Sequence, residues 1–225
     1  MEIKTYDDVG ATALDVIREV GSIGTGNAAT AVSELLSANV RINLPDVRIE
    51  GFNEANVRIN LPDVRIEGFN EAIALLGNPE EPVAAILVQM SGDMNGIMLF
   101  LLKIDFINAV LHTMLGKTVS DYSELDELEV SALTEVGNIV ISSYVNALSG
   151  LAGMEIDLSV PAISINMLGG ILSVPMIELG YETDKIMIIS GKFILNKHQV
   201  DSSLLMLPDI PSLNKLIRSL VAGHE

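Results

Sequence analysis

Residues 15–22 read D-V-I-R-E-V-G-S, and residues 131–138 read S-A-L-T-E-V-G-N. The two stretches share Glu-Val-Gly at the same place. A proline follows the last residue of each at the same interval, Pro45 after Ser22 and Pro161 after Asn138. The offset is constant at 116 residues (135 − 19; 161 − 45). A constant offset of this size marks two related halves. In each half, Asp15, Glu19 and Ser22, or Ser131, Glu135 and Asn138, fall at i, i+4 and i+7, one face of a helix.

Outward from these stretches the pattern is helical. Leu14, Ile17, Val20, Ile23, Ala28, Ala31, Val32 and Leu35 recur at helical spacing, predicting a long helix from about Asp8 to Ala38. Residues 40–50 alternate as a strand does. Pro82–Met90 and Gly96–Leu102 read as two strands around S91-G-D-M-N95, and Ile104–Leu115 as a helix stopped by Gly116. The order then recurs: helix at Leu125–Leu151, strand at Ile156–Ile165, strands at Ile186–Ile189 and Leu204–Leu207, helix at Ser212–Val221. The expected fold is α/β (α+β). Two pseudo-twofold-related halves of helix-strand-strand-strand-helix order form one mostly antiparallel sheet packed by long helices. The halves run 8–116 and 124–222 within a single domain of 1–225.

One feature lies outside that scheme. Residues 39–55, NVRINLPDVRIEGFNEA, recur without change at 56–72. Old duplications drift, so an identical tandem copy is recent or artificial. Copy one keeps the spacing from helix to Pro45 and is expected in the sheet. Copy two is expected to loop out or add an edge segment, since Pro62 suits no central strand. A shift of 17 residues, being odd, also exchanges the two faces of a strand.

Composition narrows the function. With 49% hydrophobic residues a sizeable core is possible, but only 4% are aromatic, so aliphatic residues and ten Met must fill it. The formal net charge of −17 repels phosphate backbones and anionic lipid, which argues against nucleic-acid binding and membrane attachment. There is no Cys, so thiolate chemistry and disulfides are excluded. The first ten residues, MEIKTYDDVG, carry no apolar signal core, and the run Ile97–Leu102 is far too short to span a bilayer. A soluble cytoplasmic protein is expected. His112, His198 and His224 have no ligand spacing, and His112 reads as a partly buried or interfacial residue.

Glu124, Glu127 and Ser142 extend the polar stripe of Ser131, Glu135 and Asn138, while Leu133, Val136, Val140 and Ala147 occupy the other side. One polar stripe is ordinarily a solvated face. Its repetition in both halves, where little else matches, argues for use. A carboxamide donates and accepts at once, so Asn138 can hold a water, as a Gln does for attack on phosphoryl groups in GTPases. Glu135 can anchor a cation of a partner. The glycine run G21-S-I-G24-T-G26 sits in a helical pattern instead of after a strand, which favours close helix packing over phosphate cradling.

The spacing Asp/Ser-x3-Glu-x2-Asn with a proline 23 residues on resembles that of the CheC-type chemotaxis phosphatases (the CheC/CheX/FliY phosphatase family). REVGSIGTGNAATAVSELL, ALTEVGNIVISSYVNALSGL and LLMLPD carry the same likeness, which covers nearly the whole chain apart from the extra copy. The resemblance implies a hydrolase acting on the aspartyl phosphate of CheY, the response regulator. In such proteins the Asn orients the hydrolytic water and the Glu pairs with a regulator lysine. No cofactor of the protein's own is implied, because the regulator supplies Mg²⁺.

On this chain Glu135 and Asn138 match that pattern, with Ser131 and Pro161 in supporting positions. The first site keeps Asp15, Glu19 and Pro45 but has Ser22 where Asn is expected. It is expected to be weak or inactive, and to gain activity with Ser22→Asn. CheD is a further partner the resemblance implies, although Asn166 stands where some relatives have an acid. The competing reading is a non-catalytic adaptor of the flagellar-switch type, which binds the phosphorylated regulator without hydrolysing it.

Overall fold

A computed structural model describes residue 4 and residues 8–36, 40–43, 63–178, 185–195 and 198–222. Helix α1 (Ala11–Leu36) leads to strands β1 (Val40–Asn43) and β2 (Asp63–Gly68), helix α2 (Phe69–Leu76), the hairpin β3 (Pro82–Gly92) and β4 (Gly96–Leu102), and α3 (Ile104–Leu115). The order is then repeated by α4 (Glu127–Ala152), β5 (Ile156–Leu158), β6 (Ala162–Met167), α5 (Leu168–Glu178), β7 (Lys185–Leu195), β8 (His198–Pro208) and α6 (Ile210–Ala222). The expected α/β class and mostly antiparallel sheet are found. Sequence reading missed α2 and α5, each of which follows directly on an edge strand.

The eight strands form one sheet in the order β1-β7-β8-β4-β3-β5, with β2 also on β7 and β6 also on β3. Read from either edge, the sequence is the same: the opening strand of one half lies on the hairpin of the other. The halves therefore exchange strands across a pseudo-twofold axis between β4 and β8.

Alternation along the strands sorts the core into two layers. Ala84, Ile86, Val88, Met98 and Phe100 face one side, under α1, α3, α4 and α6. Val83, Ala85, Ile97, Leu99 and Leu101 face the other, under Ala72 and Leu76 of α2 and Leu168, Ile171 and Leu172 of α5. Phe106 packs edge to face on both Phe100 and Phe193 in the first layer, with Phe100 and Phe106 centroids 5.4 Å apart. His112 is exposed on α3, not partly buried.

The edge on β3 carries a one-residue bulge. On the β3 side, Met90 pairs with Leu158 and Leu87 with Ala162, so three residues (159–161) face two. Pro161 lies in this bulge, where a missing N–H costs no ladder bond. The Gln89 N–H, left without a ladder acceptor, donates to Ser159 Oγ at 3.0 Å. On the β7 side, Asn43 pairs with Lys192 and Asp63 with Ser190, so 19 residues of sequence (44–62) separate two positions whose partners on β7 are only two apart. Removing 17 of the 19 leaves two residues opposite one, Leu44-Pro45, which is the same bulge with proline in the same place.

This corrects the expectation that copy one fills the strand and copy two is extra. The first copy supplies Val40–Asn43 and the second supplies Asp63–Gly68, both antiparallel to β7. Each copy is held at the end that joins the rest of the chain: copy one follows α1, and copy two runs into α2. The excess length falls between them. Pro45 and Pro62 lie outside the described residues.

Candidate functional site

Helix α4 presents the second stripe. Its start is fixed by a capping box: Asp126 accepts from the Leu128 and Glu129 N–H groups at 2.9 and 3.0 Å, and Glu129 Oε2 accepts from the Asp126 N–H at 3.0 Å. The Glu129 N–H bond is the largest cause holding the Asp126 carboxyl below its usual range. Lys117 Nζ bonds the buried Glu129 at 3.1 Å. Gly153, in left-handed conformation (φ 62°), ends the helix.

Within α4, Leu133, Val136, Val140, Ile141 and Val145 are buried. Gly137 lies directly on the sheet, where a Cβ would come within 2.1 Å of Ile86 Cδ1. The shared Glu-Val-Gly thus has a physical reading in this half: Val136 enters the core, Gly137 lets the helix settle on β3, and the residues on either side face out. Ser131 and Glu135 are exposed and Asn138 is half-buried. Glu135 and Asn138 are about 4.5 Å apart along the axis. Neither the Glu135 carboxylate nor the Asn138 carboxamide has a hydrogen-bond or ion-pair partner among the described residues.

The first stripe lies on α1, with Asp15 and Glu19 exposed and Ser22 half-buried. Here the acid is engaged: Arg18 Nη1 donates to Asp15 Oδ1 at 2.6 Å. The two helices pack together a turn or so beyond the stripes. A Cβ on Gly24 would lie 2.9 Å from Tyr144 Cα, so Gly24 of the glycine run serves close contact with the sister helix. The buried Thr25 and Tyr144 hydroxyls share a hydrogen bond across this contact, and burial pushes the Tyr144 hydroxyl up to about 12.

Some expectations of the stripe change. Glu124 precedes α4, in a 3-10 turn at Tyr122–Glu124, and accepts from the Ser120 N–H at 2.9 Å. Ser142 turns its hydroxyl back to the Ile139 carbonyl at 3.2 Å. Pro161 stands in the β5–β6 bulge and shapes the edge of the sheet, while Pro45 is not among the described residues. Sequence reading passed over Leu128, 59% exposed and three residues before Ser131 on the same face. It also missed the Arg18–Asp15 pair, whose i,i+3 spacing was there to be read. Among the described residues no three His, Cys, Asp or Glu gather as a metal site, and no helix is long and apolar enough to cross a membrane.

This fold, with a polar stripe on each of two sister helices, resembles the CheC-like family, whose model matches residues 128–165. That segment runs from Leu128 through α4 to β6 and contains Ser131, Glu135, Asn138 and Pro161. Over 97% of this chain and 98% of the relative, it is 28% identical to the CheY-P phosphatase CheC of Bacillus subtilis. It is 27% identical to the flagellar motor switch phosphatase FliY of the same organism, over all of this chain but 53% of that protein. The crystal structure of Thermotoga maritima FliY superposes with a TM-score of 0.70 at 20% identity, covering 96% of this chain and 99% of that one. A chain of the FliG–FliM complex from H. pylori gives 0.66 at 11% identity, covering 91% and 99%. The recognition of a CheC-type fold from sequence is thereby borne out.

Proposed function

We propose that this protein is a phosphatase for the aspartyl phosphate of a CheY-type response regulator, and that Glu135 and Asn138 do its work. The observation that carries the reading is the state of that pair. Two polar side chains one turn apart stand outward on a helix seated firmly on the sheet, with no partner among the described residues. Groups positioned but unengaged fit a role completed by a second molecule. The names borne by the bacterial relatives, a CheY-P phosphatase and a switch phosphatase, support the same reading.

In the proposed reaction α4 docks against the regulator's phosphorylated pocket. Glu135 pairs with a regulator lysine and fixes the approach. The Asn138 carboxamide accepts from and donates to one water, aiming its oxygen at phosphorus in line with the aspartyl oxygen. The new P–O bond forms from water, the bond to the aspartyl oxygen breaks, and the regulator keeps its carboxylate while inorganic phosphate leaves. Mg²⁺ at the regulator's own site carries the charge that develops on the phosphoryl oxygens. Leu128 adds apolar contact at one end of the stripe.

Phosphate release from phosphorylated regulator tests this. Asn138→Ala should lower turnover by about a hundredfold or more, as expected when a water-orienting group is lost. Glu135→Lys should raise KM sharply by meeting the regulator's lysine with like charge. Undiminished turnover in Asn138→Ala would sink the proposal. Binding of the phosphorylated regulator with no phosphate release by the unmodified chain would favour the adaptor reading, which the likeness to a FliG–FliM structure equally permits at the level of fold.

A further inference from the structure

The sheet ends in two sister strands that differ in charge. Past the repeat the offset between halves falls to 99 (116 − 17), which sets Asp63–Gly68 of β2 against Ala162–Met167 of β6. Every second residue of β2 is charged: Asp63, Arg65 and Glu67. The matching residues of β6 are Ala162, Ser164 and Asn166. Charge along an edge strand keeps other strands off, and β6 has none. No Asp, Glu, Lys or Arg occurs from Leu158 to Ile177, in a chain of net charge −17. Of the nine large apolar side chains that stand exposed among the described residues, five lie in this stretch: Val160, Ile165, Met167, Val174 and Ile177.

The backbone of β6 is open on its outer side. The Leu168 N–H donates to the Glu81 carbonyl at 2.9 Å. Alternation therefore turns the Ala162, Ser164 and Asn166 amides toward β3, and those of Ile163, Ile165 and Met167 away from it. Asn166 Oδ1 accepts from the Met167 N–H at 2.8 Å. Ile163 and Ile165 keep outward N–H and C=O groups with no partner among the described residues.

We propose that β6 pairs antiparallel with β6 of a second copy of this chain, about a twofold axis at Ser164. That register sets Ile163 opposite Ile165 of the second copy, and Ile165 opposite its Ile163, closing four backbone hydrogen bonds. The next pair that would exchange bonds is Pro161 with Met167. Pro161 has no N–H, and the N–H of Met167 is already taken. The two closed positions of the strand thus fall opposite each other, a fit that β6 has with itself. Charge favours the same occupant, since two molecules of net charge −17 meet with least repulsion across a surface that carries none. Ile163 packs on the first core layer, and pairing would carry that layer across the joint.

Sedimentation velocity of the full chain over a concentration series tests this. A dimer with Kd in the micromolar range is expected, the joint being short. Ser164 is exposed, and at the axis it meets its own copy. Ser164→Arg, which restores the charge of Arg65 on the sister strand, and Ser164→Asp should each raise Kd about tenfold or more by like-charge contact. An equimolar mixture of the two variants should dimerise again, because opposite charges then meet. Amide exchange gives a second reading: Ile163 and Ile165 should exchange more slowly in the dimer than in Ser164→Arg, with Met167 unchanged. Far-UV circular dichroism checks that each variant is folded. A full chain that stays monomeric up to about 100 μM, a dimer that both variants leave intact, or a mixture no tighter than its components overturns the inference. An edge that takes up only a different protein, the chain alone staying monomeric, overturns it as well. The phosphatase reading stands or falls separately.

Discussion

Gly137 sets how deep the site helix sits. A methyl group there would meet Ile86 at Cδ1 (2.1 Å) and at Cβ (3.2 Å), so rotating the isoleucine alone does not make room. Gly137→Ala is expected to destabilise the protein by about 1–3 kcal/mol through overpacking, and to lower turnover by lifting Asn138. Gly26, also mid-helix, has no atom within 4 Å of its would-be Cβ. Gly26→Ala should instead stabilise by about 0.5–1 kcal/mol from helix propensity. Paired denaturant titrations measure both, and equal effects would contradict the packing account.

Tyr144 gives a pH signature at the same scale. Its hydroxyl titrates near 12 when folded, against about 10 in an unfolded chain. The folded state therefore keeps the proton longer. The stabilising contribution is complete below pH 10 and disappears as pH rises from 10 to 12, a loss of about 2–3 kcal/mol. Tyr144→Phe should cost about 1 kcal/mol at neutral pH by leaving the buried Thr25 hydroxyl unpaired, and should show a shallower alkaline decline than wild type. Parallel declines in Tm against pH would refute the assignment.

Among the elements, the edge strand on β7 is the instructive one. Deleting 17 residues, whether 39–55 or 56–72, produces the same polypeptide. That chain should close the edge with a Leu-Pro bulge like the one at Pro161. Its stability should be equal or higher, since a shorter connection costs less closure entropy, and phosphate release at the second stripe should not change. Loss of folding on deletion would show that the extra residues are needed.

The long helices, the β3–β4 hairpin and the stripe of Ser131, Glu135 and Asn138 were legible because each has a strong local period, whereas β7 and β8, eleven residues each, were read only as the short strands Ile186–Ile189 and Leu204–Leu207. The short helix α2 was hidden by the repeat, whose FNEA occurs twice while only the second copy continues into Ile73-Ala-Leu-Leu. Helix α5 was hidden by Pro175 within it and by apolar residues all round, which leave no face to read. The division of one strand between two identical segments follows from where each copy joins the chain, and no local pattern reports that.

At the scale of the molecule, strand exchange binds the halves together. β1 and β2 lie on β7, β5 and β6 lie on β3, and β4 joins β8 at the centre. Each half alone would leave its opening strand without a partner and its side of the α1–α4 contact uncovered. Two fragments divided between Lys117 and Asp121, in the connection before α4, should each fail to fold alone and should reassemble on mixing. A single cooperative melting transition of the mixture would report this, and an independently folded fragment would contradict it.

The far rim of the sheet has a practical use. Asn43 and Asp63 face β7 residues two apart, which places them about 7 Å from each other along the strand direction. The sequence already places 19 residues between these two paired positions. A fluorescent reporter whose own termini lie that close could be grafted into this port, labelling the molecule without touching either sister helix.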